Sequence, residues 1–425
     1  MHKTYDVVVV GGGTAGVIAA LQSAKAGVKT LLIEKTEMLG GTITNARVFA
    51  PGLFHAWGKQ VVGGLGWELV KKCVEENGDS LPDFSNWDIK RHWTGQIGLN
   101  VFLYAMLCDE ALKQAGCDVL FHTICAKLEE KKDEKILTVC TKEGLKKIVC
   151  KALIDCTGDA NVASLAGYET ERSENPQPST YICRIDGYDL TSVDLQAVEK
   201  AYDEEVKKGN LFYTDLSWNV NAFDAKWLRN HGDNANHVAI LSNPESSEGR
   251  SKIAIEGRLA LLRLYRFFRK QKGFENLRFT YLAPECGVRE SVRIIGKSKI
   301  ALADFLSGKV YDDAVCYGFY PVDLHTLSGE GLENVYFEEG VVPTIPRSAM
   351  LPKNSKNFLV AGRCISMEQS VSSSLRVEAS CMAMGQAAGA MAALAVIENK
   401  DVEEIEMETI YQLLEKNKGI IPKKI

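Results

Sequence analysis

The amino-acid sequence opens with short apolar runs separated by one segment of helical spacing. Residues 7–10 are an unbroken run of valines, which is typical of a strand buried on both faces of a parallel sheet. Apolar positions then recur at helical spacing through residues 17–24, and the pattern stops at Gly27, a residue that can end a helix. A second apolar run covers residues 30–33. This order predicts a strand, a helix and a parallel strand packed as one βαβ unit.

The turn between the first strand and the helix carries the pattern G-x-G-x-x-G. Gly11 permits a tight turn, Gly13 lets a pyrophosphate approach the backbone, and Gly16 allows the helix to pack closely on the sheet. The helix N-terminus, at Thr14 and Ala15, then points at the phosphates. An isolated pattern of this kind also fits an ordinary turn, but its place between a strand and a helix favours dinucleotide binding.

A carboxylate and a second glycine pair follow the second strand. Glu34, next to Lys35, lies near the offset of about 20 residues at which an acid meets the ribose hydroxyls of an unphosphorylated adenosine. Gly40, Gly41 and Thr42 offer another stretch of bare backbone that can approach a cofactor, although a plain turn is the alternative.

The middle of the chain changes from helical to strand periodicity. A helix is predicted over 99–115, and the strands that follow are expected at 118–122, 126–130, 136–141, 147–151 and 152–159. The three strands from 126 to 151 indicate an antiparallel meander, and the last strand returns the chain to the first sheet. It ends in a Thr-Gly-Asp turn, so Asp159 is expected in the ligand crevice, with a helix-capping role also open.

Two later segments complete the pattern. Residues 257–273 form a basic amphipathic helix, for which a solvated arginine face is favoured over docking to a membrane or partner. A final buried strand at 357–363 precedes a helix at 375–397, whose small residues permit close contact with the sheet. The serines at 372–374 are suitable caps for that helix, so that its N-terminus can face a ligand.

Composition and charge narrow the class of protein. A net charge of −5 leaves no basic footprint for nucleic acid, and we find no run of about 18 uncharged apolar residues to span a membrane. The N-terminus has no signal or transit segment before the first strand, so a cytoplasmic location is expected. The twelve cysteines and seven histidines are scattered, which favours reduced thiols and argues against a metal site.

Several of these stretches together resemble a known family. They are GGGTAG with Glu34, DCTGD, LVAGRCIS followed by SLRVEASCMAMGQAAG, GVRESVRIIG, YPVDLH and IPRSAMLPK. They look like the FAD-dependent oxidoreductases of the glutathione-reductase-type flavoprotein superfamily, on the side of the fumarate reductase and succinate dehydrogenase flavoproteins. The resemblance implies FAD as cofactor, with Asp159 near its ribityl and phosphate region. It also implies that the isoalloxazine lies near Gly362, Arg363, Ser373 and Arg376.

The matched motifs also contain candidates for chemistry at the substrate. Arg289, His325 and Arg347 are the proposed catalytic residues, and His55 is a further candidate. A guanidinium can hold a carboxylate and a histidine can move a proton while hydride passes to or from flavin N5. The alternatives are a structural ion pair between Arg289 and Glu290 and a hydrogen-bonding role for His325. No fumarate reductase active-site signature is recognisable, so the resemblance does not assign a dicarboxylate substrate.

The expected fold is α/β: a Rossmann-like FAD-binding domain with a parallel sheet and a β-meander, plus an inserted α+β substrate domain. The FAD-binding domain is predicted from residues 1–48, 97–170 and 340–425, and the substrate or capping domain from 49–96 and 171–339. The predicted function is hydride transfer between flavin and a small organic substrate. The alternatives are an NAD-dependent oxidoreductase without flavin and a non-catalytic binding or regulatory protein. A separate electron carrier is a possible partner, and the oligomeric state is open.

Overall fold

The computed structural model describes residues 3–85, 88–233, 239–329 and 331–422. Its strands in these ranges are β1 (Lys3–Val10), β2 (Thr30–Ile33), β3 (His55–Ala56), β4 (Lys59–Gln60), β5 (Asp118–Leu120), β6 (Ile124–Glu130), β7 (Lys135–Thr141), β8 (Gly144–Asp155), β9 (Thr170–Glu171), β10 (Ser179–Thr180), β11 (Cys183–Asp186), β12 (Ala239–Ile240), β13 (Arg278–Leu282), β14 (Arg293–Ile294), β15 (Ala314–Tyr317), β16 (Val322–His325), β17 (Leu332–Val335), β18 (Thr344–Pro346) and β19 (Phe358–Val360).

The α-helices of the same ranges are α1 (Thr14–Lys25), α2 (Gly64–Glu76), α3 (Val101–Gln114), α4 (Asn161–Leu165), α5 (Leu195–Lys207), α6 (Tyr213–Leu216), α7 (Lys226–Arg229), α8 (Ser247–Phe268), α9 (Leu302–Leu306), α10 (Gln369–Leu375), α11 (Glu378–Glu398) and α12 (Met407–Lys416). Short 3₁₀ segments lie at Ile89–Gly95, Leu190–Ser192, Arg347–Met350 and Val402–Glu404.

The main sheet has seven strands and is mostly parallel. Strands β5, β2, β1 and β8 lie side by side in that order, and β19 pairs with the end of β8. β1 lies between β2 and β8, and its valines are buried on both faces, as the apolar run predicted. The predicted α/β class and the βαβ unit of β1, α1 and β2 are therefore confirmed.

The long strand β8 connects this sheet to the predicted meander. Its first half pairs antiparallel with β7, and β7 pairs with β6, while its last residues pair parallel with β19. The sequence predicted separate strands at 147–151 and 152–159, but β8 is continuous from Gly144 to Asp155. The pairing of β8 with β1 runs from Lys3 opposite Ile148 to Val10 opposite Asp155. It aligns the meander with the parallel part of the sheet.

Helix α11 packs mainly on α1, whereas the sequence predicted that its small residues would contact the sheet. A Cβ at Gly385 would lie 2.1 Å from the carbonyl oxygen of Ala15, and one at Gly389 would lie 2.3 Å from that of Ala19. The Ser23 hydroxyl also donates to the Gly389 carbonyl at 3.1 Å. The predicted serine caps are wrong, because Ser372–Ser374 lie inside α10 and the N-cap of α11 is Val377.

Within the described residues, one helix is long and apolar enough to cross a membrane, and it is α11. The helix meets that test by length and composition only, so the expectation of no membrane-spanning run is not overturned by it. In the folded chain 83% of that apolar window is buried inside the protein, against α1 and the sheet. The core position of the helix accounts for its composition.

Two clusters of buried side chains divide the molecule. The larger contains the main sheet and also side chains from 53–74 and 292–337, which the predicted domain boundaries had given to the capping domain. The smaller runs from Tyr181 to Cys286 and is centred on Trp227, Phe268 and helix α8. Helix α8 begins at Ser247, ten residues before the predicted segment. The domain division stays a prediction.

Candidate functional site

A continuous cavity of about 770 Å³ lies where the carboxyl ends of β1, β2, β8 and β19 face the smaller core. Such a crevice outside the carboxyl ends of parallel strands is the usual ligand site of an open α/β sheet. The residues predicted from sequence that line it are Gly11, Gly13, Thr14, Ala15, Glu34, Lys35, Gly41, Thr42, Asp159, Arg289, His325, Gly362, Arg363 and Arg376.

The N-terminal glycines have three different surroundings. Gly11 has a φ of +104°, and a Cβ there would lie 2.4 Å from the carbonyl oxygen of Cys156. A Cβ at Gly16 would lie 1.8 Å from the carbonyl oxygen of Gly11, so this position supports packing and does not line the cavity. At Gly13 the nearest atom to an added Cβ is 3.9 Å away, which leaves its backbone open to the cavity. No side chain caps the first turn of α1, so its N–H groups are available to an anion.

The Glu34 carboxylate is fixed by the turn it faces. Its Oε2 accepts from the Gly12 backbone at 2.6 Å, and its Oε1 accepts from the backbone and hydroxyl of Thr36 at 2.8 and 2.9 Å. The second glycine pair lies against the first turn, since a Cβ at Gly41 would be 2.7 Å from the Cα of Gly13. Gly40 is outside the cavity and bonds to the Gly12 carbonyl at 2.9 Å.

Asp159 lies between two arginines in the cavity wall. Arg363, after β19, bonds to Oδ1 at 2.7 Å, and Arg250, on α8, bonds to Oδ2 at 2.8 Å. Burial alone would raise the pKa of Asp159, but the two guanidinium groups outweigh it and lower this pKa to about 2. The helix-capping role that the sequence left open for Asp159 is filled by Asp155. Its Oδ2 accepts from two backbone N–H groups in the first turn of α4 at 2.9 Å.

A second group of charged residues lines the same cavity, and we call Arg289, Tyr320, Asp323, His325 and Arg376 the polar cluster. The Nε2 atom of His325 is 3.4 Å from Oδ2 of Asp323, which also faces Nη2 of Arg376 at 3.4 Å. Arg289 donates to the Pro178 carbonyl at 2.8 Å. The Nδ1 atom of His325 is buried and has no hydrogen-bond partner.

The electrostatics of the polar cluster follow from burial and from its paired charges. Burial lowers the pKa of His325 to about 4, with Arg289 adding to the effect and Asp323 opposing it. Burial, together with Arg376, lowers the pKa of the Arg289 guanidinium to about 9. Burial would raise the pKa of Asp323, yet His325 and the arginines hold it well below its usual range. At neutral pH the cluster therefore contains two cations, one carboxylate and a neutral imidazole.

Tyr320, Asp323 and Gln96 were not predicted from sequence as site residues. The Tyr320 hydroxyl accepts from Nε2 of Gln96 at 3.0 Å and contacts Nε2 of His92 at 3.1 Å. One signal was present for Asp323, because residues two apart on a strand share a face and Asp323 precedes His325 by two on β16. No local pattern connects Gln96 with a tyrosine 224 positions later.

Four predicted or alternative roles are not supported by the geometry. Arg347 lies outside the cavity and donates to the carbonyls of Val402 and Ile405 at 3.1 and 2.8 Å. His55 stacks on Phe84 at 3.7 Å, also away from the cavity, and burial lowers its pKa to about 4.

Ser373 is buried in α10, where its hydroxyl accepts from the Asp323 backbone at 3.1 Å. It therefore positions the backbone of Asp323, a member of the polar cluster. Glu290, the partner suggested for Arg289 in a structural ion pair, pairs with Arg293 at 2.9 Å. Across the described ranges, no group of three or more His, Cys, Asp or Glu side chains is arranged to hold a metal ion.

Comparisons with known proteins match most of the chain to one family and shorter stretches of it to individual relatives. A family model described as FAD dependent oxidoreductase matches residues 6–414. Fumarate reductase (cytochrome) from Shewanella frigidimarina is 48% identical over 59 residues, which cover 14% of this chain and 10% of that protein. Dihydrolipoyl dehydrogenase from Trypanosoma brucei brucei is 49% identical over 57 residues, or 13% of this chain and 12% of that protein. Glycine oxidase from Bacillus licheniformis is 35% identical over 102 residues, or 23% and 27%.

The chain thus matches only 10% to 27% of the length of these curated relatives. Among solved structures, a geranylgeranyl bacteriochlorophyll reductase-like protein from Thermoplasma acidophilum aligns with a TM-score of 0.46 at 15% identity, covering 98% of this chain and 84% of that one. A flavoprotein/dehydrogenase from Cytophaga hutchinsonii aligns with a TM-score of 0.38 at 14% identity, covering 97% and 83%.

Proposed function

The chain belongs to the family of FAD-dependent oxidoreductases, and from this premise we propose that it catalyses hydride transfer between flavin N5 of FAD and a small organic substrate. The observation that carries the proposal is the continuous cavity shared by the N-terminal glycine turn and the polar cluster. A cofactor held at the turn and a substrate held at the cluster would lie in one continuous space.

The turn supplies what the nucleotide part of FAD needs. Gly13 and the uncapped first turn of α1 expose backbone N–H groups to the cavity, where a pyrophosphate would be held. Glu34 faces the same space as an oriented acceptor for ribose hydroxyls. Arg363 would contact the central part of the cofactor, since it lines the cavity beside Asp159.

The polar cluster supplies binding and proton transfer. Arg289 is the proposed anchor for an anionic or polar group of the substrate, because its cation lines the cavity. His325 is the proposed proton acceptor, since its imidazole is neutral and Nδ1 has no partner. Arg376 and Asp323 are proposed to hold the His325 ring in place. Arg347 and His55 are left out of the proposed catalytic residues.

Family membership favours FAD over the NAD-dependent alternative. The finer placement near the fumarate reductase and succinate dehydrogenase flavoproteins stays a proposal, since the matched region of that relative is short. A cytoplasmic location and a separate electron carrier likewise stay predictions.

The proposal is tested on the purified protein. We expect a flavin absorbance spectrum, release of FAD on denaturation, bleaching by dithionite under anaerobic conditions, and recovery of colour with an oxidant. Protein that takes up no FAD would overturn the cofactor assignment. A bound flavin that dithionite cannot reduce reversibly would favour the non-catalytic alternative.

A further inference from the structure

Glu378 carries a buried carboxyl group in the cavity wall that has no part in the chemistry proposed above. It is the first residue of α11, is only 7% exposed and lines the cavity. Its Oε1 atom accepts a hydrogen bond from the Thr42 hydroxyl at 2.8 Å. None of the arginines, lysines and histidines in the described ranges forms an ion pair with it. A buried carboxyl group without a paired cation is favoured in its neutral form.

The cations nearest to Glu378 are engaged by other carboxylates. Arg363 is bonded to Asp159 at 2.7 Å, and Arg376 faces Asp323 at 3.4 Å. Burial therefore outweighs both guanidinium groups and the hydrogen bonds that Glu378 accepts, and it raises the pKa of this carboxyl group above its usual range. The other titratable groups that act on it are neutral, because burial raises the pKa of each: Tyr104, Tyr320 and Cys381.

The same side chain lies beside the backbone that is proposed to hold the pyrophosphate of FAD. Thr42 follows Gly41, and a Cβ at Gly41 would be 2.7 Å from the Cα of Gly13. Through Thr42, Glu378 is connected to the glycine turn, and all four residues line one cavity. A pyrophosphate is a dianion at neutral pH, and a negative charge nearby makes a carboxyl group harder to ionise. Bound FAD and an ionised Glu378 therefore disfavour each other.

From this juxtaposition we infer that Glu378 takes up a proton from the solvent when FAD binds and stays a neutral carboxylic acid in the complex. The inference rests on the proposed function, because FAD is the ligand that supplies the negative charge. The neutral acid keeps Oε1 as the acceptor for Thr42 and gains an O–H group that can donate to an oxygen of the cofactor.

Proton uptake makes FAD affinity depend on pH with a definite sign. Between the pKa of Glu378 in the free protein and its higher pKa in the complex, affinity falls as the pH rises, by at most about tenfold per pH unit. Two other acidic or basic groups of the cavity, Asp159 and His325, have pKa values of about 2 and 4, and the pKa of Arg289 is about 9. The range from pH 5.5 to pH 7.5 therefore separates Glu378 from these groups.

Titration calorimetry counts the protons directly. FAD is added to the full-length protein, stripped of its cofactor, in pairs of non-phosphate buffers that have the same pH and different heats of ionisation. The difference between the two binding enthalpies gives the number of protons taken up. We expect the wild-type protein to take up protons within this pH range, to a maximum of one per FAD, and its affinity to fall correspondingly as the pH rises.

Substitutions assign the proton to Glu378. Glu378→Gln should bind FAD without proton uptake, because an amide does not titrate yet still offers a donor and an acceptor. Thr42→Val removes a hydrogen bond that favours the charged form, so the uptake should be largest at a higher pH, whereas Thr42→Ser should resemble the wild type. Glu398→Gln, at the other end of α11 and outside the cavity, is the matched control.

Two results would overturn the inference: FAD binding to the wild-type protein without proton uptake across this pH range, or the same uptake in Glu378→Gln. If Glu378→Gln does not fold, Thr42→Val decides, and an unchanged pH profile in that variant overturns the assignment to Glu378. A protein that binds no FAD overturns the proposed function together with this inference, whereas FAD bound without a proton overturns this inference alone.

Discussion

The glycines of the N-terminal turn differ in what a side chain would meet. At Gly11 and Gly16 an added Cβ collides with backbone carbonyls, so these residues are required by the fold itself. At Gly13 the same atom would make only an ordinary van der Waals contact, 3.9 Å from the Cα of Gly41, on the side of the cavity. Gly13 is therefore the position at which a substitution can separate cofactor binding from folding.

We predict that Gly13→Val folds but does not retain FAD, because its side chain would occupy the space open to a pyrophosphate. FAD content and far-ultraviolet circular dichroism check the two parts. Gly98→Ala is the control, since its added methyl group makes ordinary contacts with Phe49 outside the cavity. A Gly13→Val protein that purifies with full flavin would show that the turn is not the phosphate site.

A second prediction at the residue scale concerns how two histidines make stability depend on pH. Burial lowers the pKa of both His55 and His325 to about 4, whereas an unfolded histidine titrates near 6.5. Between these values the unfolded chain binds more protons than the folded one, so the free energy of unfolding falls as the pH falls from 6.5 to 4. Asp159, with its pKa lowered to about 2, loses its contribution only at more acidic pH.

His55→Phe should reduce this pH dependence by up to about 1 kcal/mol per pH unit between pH 6 and pH 4.5. Phenylalanine suits the site, because His55 stacks on Phe84 and its Nδ1 has no partner. Urea unfolding at a series of pH values measures the slope. Wild type and variant should have equal slopes between pH 7.5 and pH 8.5, and an unchanged slope below pH 6 would contradict the assignment to His55.

At the scale of elements, the contact between α1 and α11 holds the cofactor side together. Small residues on α11 bring its backbone to the carbonyls of Ala15 and Ala19. Because Ala15 also lines the cavity, the packing of α11 supports the position of the α1 N-terminus.

Gly389→Ala should destabilise the protein by about 1–3 kcal/mol, although alanine is the better helix former by about 1 kcal/mol. The added Cβ would lie 2.3 Å from the carbonyl oxygen of Ala19, a backbone atom that cannot turn aside. Thermal and urea unfolding measure the loss. Ile397→Ala, at a side chain 57% exposed on the same helix, should change stability little, and a stabilised Gly389→Ala would show that the helices can separate freely.

At the scale of the whole molecule, ion pairs across the cavity join the two cores. Arg250, on α8 of the smaller core, bonds to Asp159 at the end of β8. Lys35, after β2, pairs with Glu285 at 2.9 Å, and both side chains are partly exposed. The first pair is the more buried of the two, so it is expected to contribute more.

Arg250→Ala should lower stability by about 1–3 kcal/mol and weaken FAD binding, because Asp159 keeps only Arg363 as its partner. Unfolding curves with and without FAD and a fluorescence titration of FAD measure the two effects. The control is Arg266→Ala, on the same helix but outside the cavity lining. Equal stability and equal FAD affinity in both variants would mean that the cores are joined by other contacts.

The sequence by itself determined the cofactor half of this protein. The βαβ unit, its glycines and Glu34 lie within one short stretch, where strand and helix periodicity and backbone sterics act between near neighbours. The family match to residues 6–414 agrees with that interpretation.

Only the tertiary structure decided which distant residues meet the cofactor half. Gln177 and His325 bond across 148 positions and Arg250 and Asp159 across 91, while Arg347 and the further candidate His55 pack elsewhere. Contacts between residues so far apart in sequence depend on how whole helices and strands pack. Residue type and local spacing do not encode that packing. The polar cluster could therefore be predicted in part, through Arg289, His325 and Arg376, but its acceptor at Nδ1 became visible only in the folded chain.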